Sequence, residues 1–516
     1  MKRIRWGWLA VAAVPAIFVG YLFVYPVIRI LTIGLTELSF QSTALEARLI
    51  RVGWFTIWQA AASTALTVLA AAPLTWAVST FEFRGRRLAT ALVTVPFVLP
   101  TVVVGTAFVA LGFTDSIWAI LAAHVFFNVA VVVRTVSGLW SRIDPRLLEA
   151  GRVLGASEWQ VFRRVTLPLL KPAIAAASSI VFLFTFTSFG VILILGGFDL
   201  ATLEVEIYRQ AVTLFDLPLA ASLAIIQLLG VSGALYAYSR YQERRSVSWT
   251  LDSGSNRRRP DGTARVLVWA SVVGTLGALA VPLAVLVARS GSGRAYVRLL
   301  SDDPVVGSPA SSVANSLVFA VVAMIIATVI GVMAATVITG RTGRLSQWFD
   351  LTLMLPLGTS AVTVGFGFIV ALDWPFDIRA TLWLVPLAHA LVAVPFVVRS
   401  TVPTLRAIPA ETREAARVLG ASPWRVWREI DLPIVSKAAL VGAGFAFVVS
   451  LGEFGATSFV ARPNTATIPV MIFRLLERPG QTSFGMAMAL SVILAAVTAA
   501  VVMWLDRARV GDIGRF

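Results

Sequence analysis

Residues Glu149–Pro168 read EAGRVLGASEWQVFRRVTLP, and residues Glu414–Pro433 read EAARVLGASPWRVWREIDLP. Thirteen of the twenty aligned positions are identical: Glu, Ala, Arg, Val, Leu, Gly, Ala, Ser, Trp, Val, Arg, Leu and Pro. Both copies are polar, helix-forming segments in a chain that is otherwise largely apolar. A polar helical segment occurring twice is best explained as a pair of docking sites for a soluble partner.

The repeat runs far beyond these twenty residues. The offset is 414 − 149 = 265, and it also aligns His124 with His389, the only two histidines. Arg134 aligns with Arg399, Phe189-Gly190 with Phe454-Gly455, and Thr202, Ile207 and Arg209 with Thr467, Ile472 and Arg474. Upstream the offset is 260, matching Pro96 to Pro356 and Gly105 to Gly365, so about five extra residues lie near Asp373–Arg379. An offset held this long marks two copies of one structural unit. Copies running in the same direction are related by an axis along the membrane normal if each spans the bilayer evenly.

Hydrophobic residues make up 58% of the chain and the mean hydropathy is +0.84, well outside the soluble range. Apolar runs of spanning length recur. In the first half they cover 9–33, 53–80, 88–112, 116–138, 172–196 and 217–238. In the second they cover 266–289, 312–338, 349–373, 380–400, 436–459 and 483–505. The expectation is an all-α polytopic membrane protein of about twelve helices in two parallel six-helix repeats. The runs are continuously apolar and lack the period of two that a membrane barrel requires. The boundaries follow as a first module at 1–239, a linker at 240–265 and a second module at 266–516.

The net charge of +16 would suit nucleic acid, but the arginines sit in alternate loops. Arg84, Arg86 and Arg87 follow the second run, while Arg142, Arg146, Arg152, Arg163, Arg164 and Lys171 surround the first repeated segment. Arg240, Arg244, Arg245, Arg257, Arg258, Arg259 and Arg265 fill the linker. The intervening loops hold more acid, such as Asp199, Glu204, Glu206 and Asp216, or Asp302 and Asp303. By the positive-inside bias, both termini, the linker and both repeated segments face the cytoplasm, and no nucleic acid is implied. The basic start followed by an apolar run could be a signal peptide. Trp8–Leu35 is long for one and no small-x-small site closes it, so it reads as a retained span. The linker reads as a flexible, solvated tether, with lipid binding by Arg257–Arg259 the alternative. The absence of cysteine excludes disulfides and thiolate metal sites.

Within the segments at 144–168 and 409–433, Pro145 and Pro409 suit a first helical turn. Gly155 and Gly420 close a short helix. Ser157 and Ser422, after Ala156 and Ala421, cap a second helix that ends at Leu167-Pro168 or Leu432-Pro433. Trp159, Phe162, Trp424 and Trp427 lie on that second helix, where they pack on neighbouring spans or on a partner.

This helix–Gly–helix pattern, with Glu-Ala-Ala, a Gly about six residues on and a Leu-Pro ending, resembles the EAA loop of permease subunits of ABC importers. Nearly the whole chain is similar to a fused permease of the ferric iron/thiamine group, two modules in one polypeptide. Residue by residue, the resemblance marks Glu149, Ala150, Gly155, Ala156 and Ser157 as ATPase-docking in the first copy. Glu414, Ala415, Ala416, Gly420, Ala421 and Ser422 are their counterparts in the second. The first copy departs from the pattern at Gly151, which weakens its helix by up to about 1 kcal/mol relative to Ala. The resemblance implies two ATP-binding subunits on the cytoplasmic side, an extracytoplasmic substrate-binding protein, and a bacterial plasma (inner) membrane location.

The chain lacks the residues for ATP hydrolysis by the usual route. A P-loop needs Gly-Lys followed by Ser or Thr. Only Lys2, Lys171 and Lys437 exist, followed by Arg, Pro and Ala. ATP and Mg are therefore expected on partner chains, with no cofactor on this one. No His, Asp or Cys constellation suits catalysis.

The substrate expectation is thiamine or ferric iron. The stretch from Phe189 to Gly197, then Thr202–Tyr208 (TLEVEIY), resembles thiamine-type permeases, as does Ala123–Asn128 (AHVFFN). Glu204, Glu206 and Asp216 either pair with a binding protein or are simply solvated. Glu453 is the one carboxylate expected inside a span, and Ser188 is its counterpart. An intramembrane acid either lines the substrate pathway or has buried partners. His124 and His389 are expected in helix packing, not in a metal site, which needs three or four ligands. The alternative reading is a twelve-helix secondary transporter of the facilitator type, which also has parallel repeats but needs no docking loop.

Overall fold

The computed structural model describes residues 2–36, 43–245, 257–291, 293–301, 307–340 and 343–513. Among these residues there is no strand, only one isolated bridge between Phe81 and Arg258. Ten helices among the described residues are long and apolar enough to cross a membrane, and the number is twelve if each of two bent pairs, Arg86–Val98 with Thr101–Ala110 and Ser346–Gly358 with Ala361–Ala371, counts as one span. The protein is an all-α polytopic membrane protein.

Four of the expected runs are broken rather than straight. The 88–112 and 349–373 runs turn by 96° and 101°. In the first, Leu99 is extended (ψ 144°) because Pro100 follows it, and the residue before a proline avoids the helical region. In the second, Thr359 is extended (ψ 148°) and the Ser360 side chain accepts from the Val362 N–H at 3.0 Å, starting a new helix. The 172–196 run is interrupted between Phe186 and Gly190, and the 436–459 run between Gly452 and Gly455. Hydropathy does not see these breaks, because an apolar residue scores the same in a turn as in a helix.

The described residues form two compact units. One draws on 1–39, 207–225 and 290–516; the other on 40–206 and 226–289. The grouping therefore differs from the repeat boundaries at 239 and 266. In the first unit the N-terminal helix Tyr25–Thr36 lies along Ala361–Ala371. Glycine permits this: a β-carbon on Gly367 would stand 2.8 Å from Pro26 Cβ. The extra residues of the second half form a loop where Arg379 donates to both carboxylate oxygens of Asp377 at 2.9 and 3.0 Å. Those bonds hold the Asp377 carboxyl below its ordinary value.

In the other unit, the end of the linker departs from the solvated tether expected of it. Arg258 N–H donates to Thr80 O at 3.2 Å, and Glu82 N–H donates to Arg258 O at 3.0 Å. The Arg258 guanidinium lies 5.2 Å from the centre of the Phe81 ring, which is itself buried against Ala77 and Val268. Backbone pairing and a cation–π contact together pin this stretch. Residues 246–256 of the linker, like Asp302 and Asp303, lie outside the described residues.

Candidate functional site

Each repeated segment folds as two short helices around a glycine turn. In the first copy, Asp144 caps helix Pro145–Val153 by accepting from Arg146 N–H at 2.9 Å. The helix ends with Gly155 at φ +81°, where Gly155 N–H reaches Arg152 O at 2.9 Å and Ala156 N–H reaches Gly151 O at 3.1 Å. This pair of bonds is a Schellman motif, which needs a left-handed residue. Ser157 then starts helix Glu158–Val161 with a full capping box: Gln160 N–H donates to its hydroxyl, and its own N–H donates to Gln160 Oε1 at 2.9 Å.

The second copy repeats the design. Helix Ala410–Val418 closes on Gly420 at φ +84°, with Gly420 N–H to Arg417 O and Ala421 N–H to Ala416 O, both 3.0 Å. Ser422 accepts from Arg425 N–H at 3.3 Å and caps Pro423–Val426.

The two first helices bury nothing. Glu149, Ala150, Glu414 and Ala415 are exposed; Ala416, Ala156 and Ala421 are half-buried. The apolar pair just before each turn was not singled out from sequence. Val153 and Leu154 are 87% and 85% exposed, and Val418 and Leu419 are both 87% exposed. Each pair leaves two aliphatic side chains bare on a polar element. Their signal was available as Val-Leu-Gly in both copies. The aromatics divide: Phe162 is sandwiched between Trp140 (6.1 Å) and Trp159 (5.5 Å), and Trp424 stacks on Trp427 at 5.1 Å. Trp159 and Trp424 nonetheless remain 66% exposed.

The copies are stapled differently. In the first, Arg152 makes a two-bond pair with Glu158 across the turn, at 2.7 and 3.2 Å, and both side chains are open to solvent. In the second, Arg413 reaches Asp431 at 2.8 Å and Leu405 O at 3.3 Å, more deeply buried. Gly151 also has a local reason: a β-carbon there would meet Val161 Cγ2 at 3.2 Å.

The spans on either side of each repeated segment are tied together at their far ends by histidine. His124 on Ile117–Trp140 lies 2.9 Å from Ser63 Oγ through Nδ1 and 2.9 Å from Ser188 Oγ through Nε2. Ser188 sits in the break after Leu167–Phe186. His389 on Leu384–Ala407 lies 2.7 Å from Ser450 Oγ through Nδ1 and 2.7 Å from Thr457 Oγ1 through Nε2. Its Nε2 is 3.4 Å from Glu453 in the matching break. Both rings are buried and both nitrogens are partnered.

Glu453 is 7% exposed and has a full set of donors. Its carboxylate accepts from Ala456 N–H at 2.7 Å, Thr457 N–H at 2.9 Å and the Thr457 hydroxyl. It thereby caps helix Gly455–Val460, restarting the chain after the break. Ser188 and Glu453 thus occupy the same place in the two halves, each beside its histidine.

Glu204 and Glu206 are not the solvated acids that their loop position suggested. They are 0% and 1% exposed. Glu204 accepts from Gln227 Nε2 at 2.8 Å, and Glu206 pairs with Arg48 at 2.9 Å. Helix Leu203–Tyr208 is held at its start by Leu203 N–H donating to Thr56 Oγ1 at 3.0 Å. The second half keeps that anchor, Ile468 N–H to Ser316 Oγ at 2.7 Å, but has Pro469 and Met471 in place of the acids. Asp216 is exposed and accepts from Leu219 N–H at 3.0 Å.

Comparison with known proteins accords with this doubled architecture. The family described as binding-protein-dependent transport system inner membrane component matches twice, over residues 76–246 and 327–510. The thiamine transport system permease protein ThiP of Brucella suis is 29% identical over 487 residues, covering 89% of this chain and 87% of its own. The ThiP of Salmonella typhimurium is 25% identical over 446 residues, covering 81% and 82%. A putative 2-aminoethylphosphonate transport system permease protein, PhnV of Salmonella typhimurium, is 32% identical over 193 residues, which is 37% of this chain.

Proposed function

The chain belongs to the family of binding-protein-dependent transport system inner membrane components, a permease of an ABC importer rather than a facilitator, and on that premise we propose that it imports thiamine. What supports the substrate is the length of the likeness. The ThiP relatives match both halves in one stretch, whereas the phosphonate permease, covered to 72% of its own length, matches 37% of this chain. Uptake of labelled thiamine by vesicles holding the chain with its cognate ATPase and binding protein tests this. Ferric and phosphonate uptake in the same vesicles, with thiamine not transported, would overturn it.

We further propose that two separate ATP-binding subunits dock on Pro145–Val153 and Ala410–Val418, and that ATP and Mg stay on those subunits. A binding protein delivers substrate at the opposite face. The observation that carries this reading is the pair of exposed helices, each closed by a glycine turn and joined to two spans. A rigid, well-capped element passes a push to the spans on either side without absorbing it. The histidine ties hold those same spans together at the other end, so each half moves as one lever.

The orientation follows from parity. Arg84–Arg87 and the docking elements share a side only if each bent pair crosses the bilayer once. The positive-inside bias asks for that side to be cytoplasmic, together with both termini. The chain has no cysteine, so single replacements can be labelled without background. Ser157→Cys should react only from the cytoplasmic side, and Asp199→Cys only from the other. The reverse pattern would sink the orientation.

A further inference from the structure

A groove of about 870 Å³ runs between three helices of one unit: Arg48–Thr80, Leu167–Phe186 and the 226–240 part of Leu217–Arg240. Ala61, Ala65, Ser179, Leu183 and Ala234 line it. Two of its hydroxyls are satisfied within their own helices: Thr64 donates to Ala60 O at 2.7 Å and Ser179 to Ala175 O at 2.9 Å. A groove lined mostly by apolar side chains, with these hydroxyls already paired, offers water little and suits hydrocarbon.

The second half fills one matching position. Its Leu505 packs directly on Gly444, with no room for a β-carbon. At the offset of 265, the first half has Arg240 and Ser179 at those positions. Arg240 does not fill the slot. Its Nε donates to the Tyr236 hydroxyl at 3.2 Å, and the guanidinium lies 5.9 Å from that ring, along its own helix. At this position the repeat exchanges an aliphatic side chain for a cation.

That cation stands at one end of the groove. Arg240 comes two residues after the lining residue Tyr238, roughly 3 Å along the axis. Lys171, on the neighbouring helix, comes four residues before the lining residue Ala175, roughly 6 Å along its axis. The two helices run antiparallel, so both basic residues are at the end facing the docking elements, and both are exposed. An apolar slot in the bilayer, flanked at the membrane surface by two cations, matches one occupant. We propose that the groove seats an acyl chain of an anionic phospholipid from that leaflet, with its headgroup between Lys171 and Arg240. The proposal uses these helices as spans and does not depend on the transported substrate.

The test is native mass spectrometry of the full chain in detergent, with palmitoyl-oleoyl phosphatidylglycerol or phosphatidylcholine added. Phosphatidylglycerol should be retained about thirtyfold more tightly, as expected for two basic side chains near a headgroup. Ser179→Leu, which fills the slot, should abolish retention of both lipids. Lys171→Gln with Arg240→Gln changes exposed positions and spares the packing, and should bring phosphatidylglycerol down to the phosphatidylcholine level. Equal retention of the two lipids by the unaltered chain would overturn the proposal. So would unchanged phosphatidylglycerol retention in the double variant, or a lipid-free dimer in which a second copy covers the groove.

Discussion

Glu453 is a charged side chain whose geometry decides between two roles. A carboxylate that accepts two backbone N–H groups and a hydroxyl is part of the chain's restart after Gly452. Glu453→Gln keeps one carbonyl oxygen and so orphans a buried donor, at about 1–3 kcal/mol. Melting temperature, uptake and ATP hydrolysis should then fall together in one reconstituted preparation. Loss of uptake alone would mark a group that meets substrate. His124→Ala should act in the same way, because it strips Ser63 and Ser188 of a shared partner in one step. It should lower the melting temperature and impair uptake, while Asp216→Ala, which loses only an exposed helix cap worth about 1 kcal/mol, should leave uptake unchanged. The pairing of His124 with His389 was legible from the repeat alone. Their partners were not: the first histidine uses Ser63, where the second half has Ala323, and a contact across helices leaves no trace in one sequence. Glu204 and Glu206 misled for the same reason, since Gln227 and Arg48 are remote in the chain.

The repeated helix–turn–helix segments were the most legible part of the molecule, because every device in them is local. Proline, cap serine, turn glycine and ending Leu-Pro all act within five residues. Replacing Gly155 and Gly420 by Pro together should abolish ATPase-coupled uptake while the chain still inserts. Proline cannot adopt φ +81° or +84°, and it removes the N–H that bonds Arg152 O or Arg417 O, at about 3 kcal/mol or more per turn. Normal uptake with a normal ATPase complex would refute the docking role. The copies should also carry unequal load. Glu414→Ala should weaken ATPase association in a pull-down at least as much as Glu149→Ala, since the second element has the better helix and the more buried staple. Gly151→Ala asks whether the first can be improved. The gain in helix propensity is up to about 1 kcal/mol, opposed by a 3.2 Å approach to Val161. Ala416 already sits opposite Val426 in the other copy, so association should tighten or hold. A clear loss would mean that Val161 cannot yield. The broken spans were the least legible elements, because continuous apolarity hides a 96° turn and only Pro100 hinted at it.

The whole chain holds two sequence repeats and two packing units that do not coincide. Cutting the linker within 246–256 and coexpressing the pieces should therefore restore uptake only if both reach the membrane together. The N-terminal piece alone should be degraded, which an immunoblot with and without its complement would show. Twelve crossings and the doubled plan could be read from hydropathy and the offset; the exchange of the first helix could not, because amphipathic faces do not name their partners. That exchange also sets an order of events in biosynthesis. Pro26 meets Gly367, 367 − 26 = 341 residues later in the chain. At ribosomal speeds of about 5–20 residues per second, the first helix waits roughly 20–70 s in the lipid before its neighbour is made. Translation pauses, insertase load and quality-control proteases all act inside that interval, so synonymous changes that slow the ribosome should lower the yield of this chain with no residue altered.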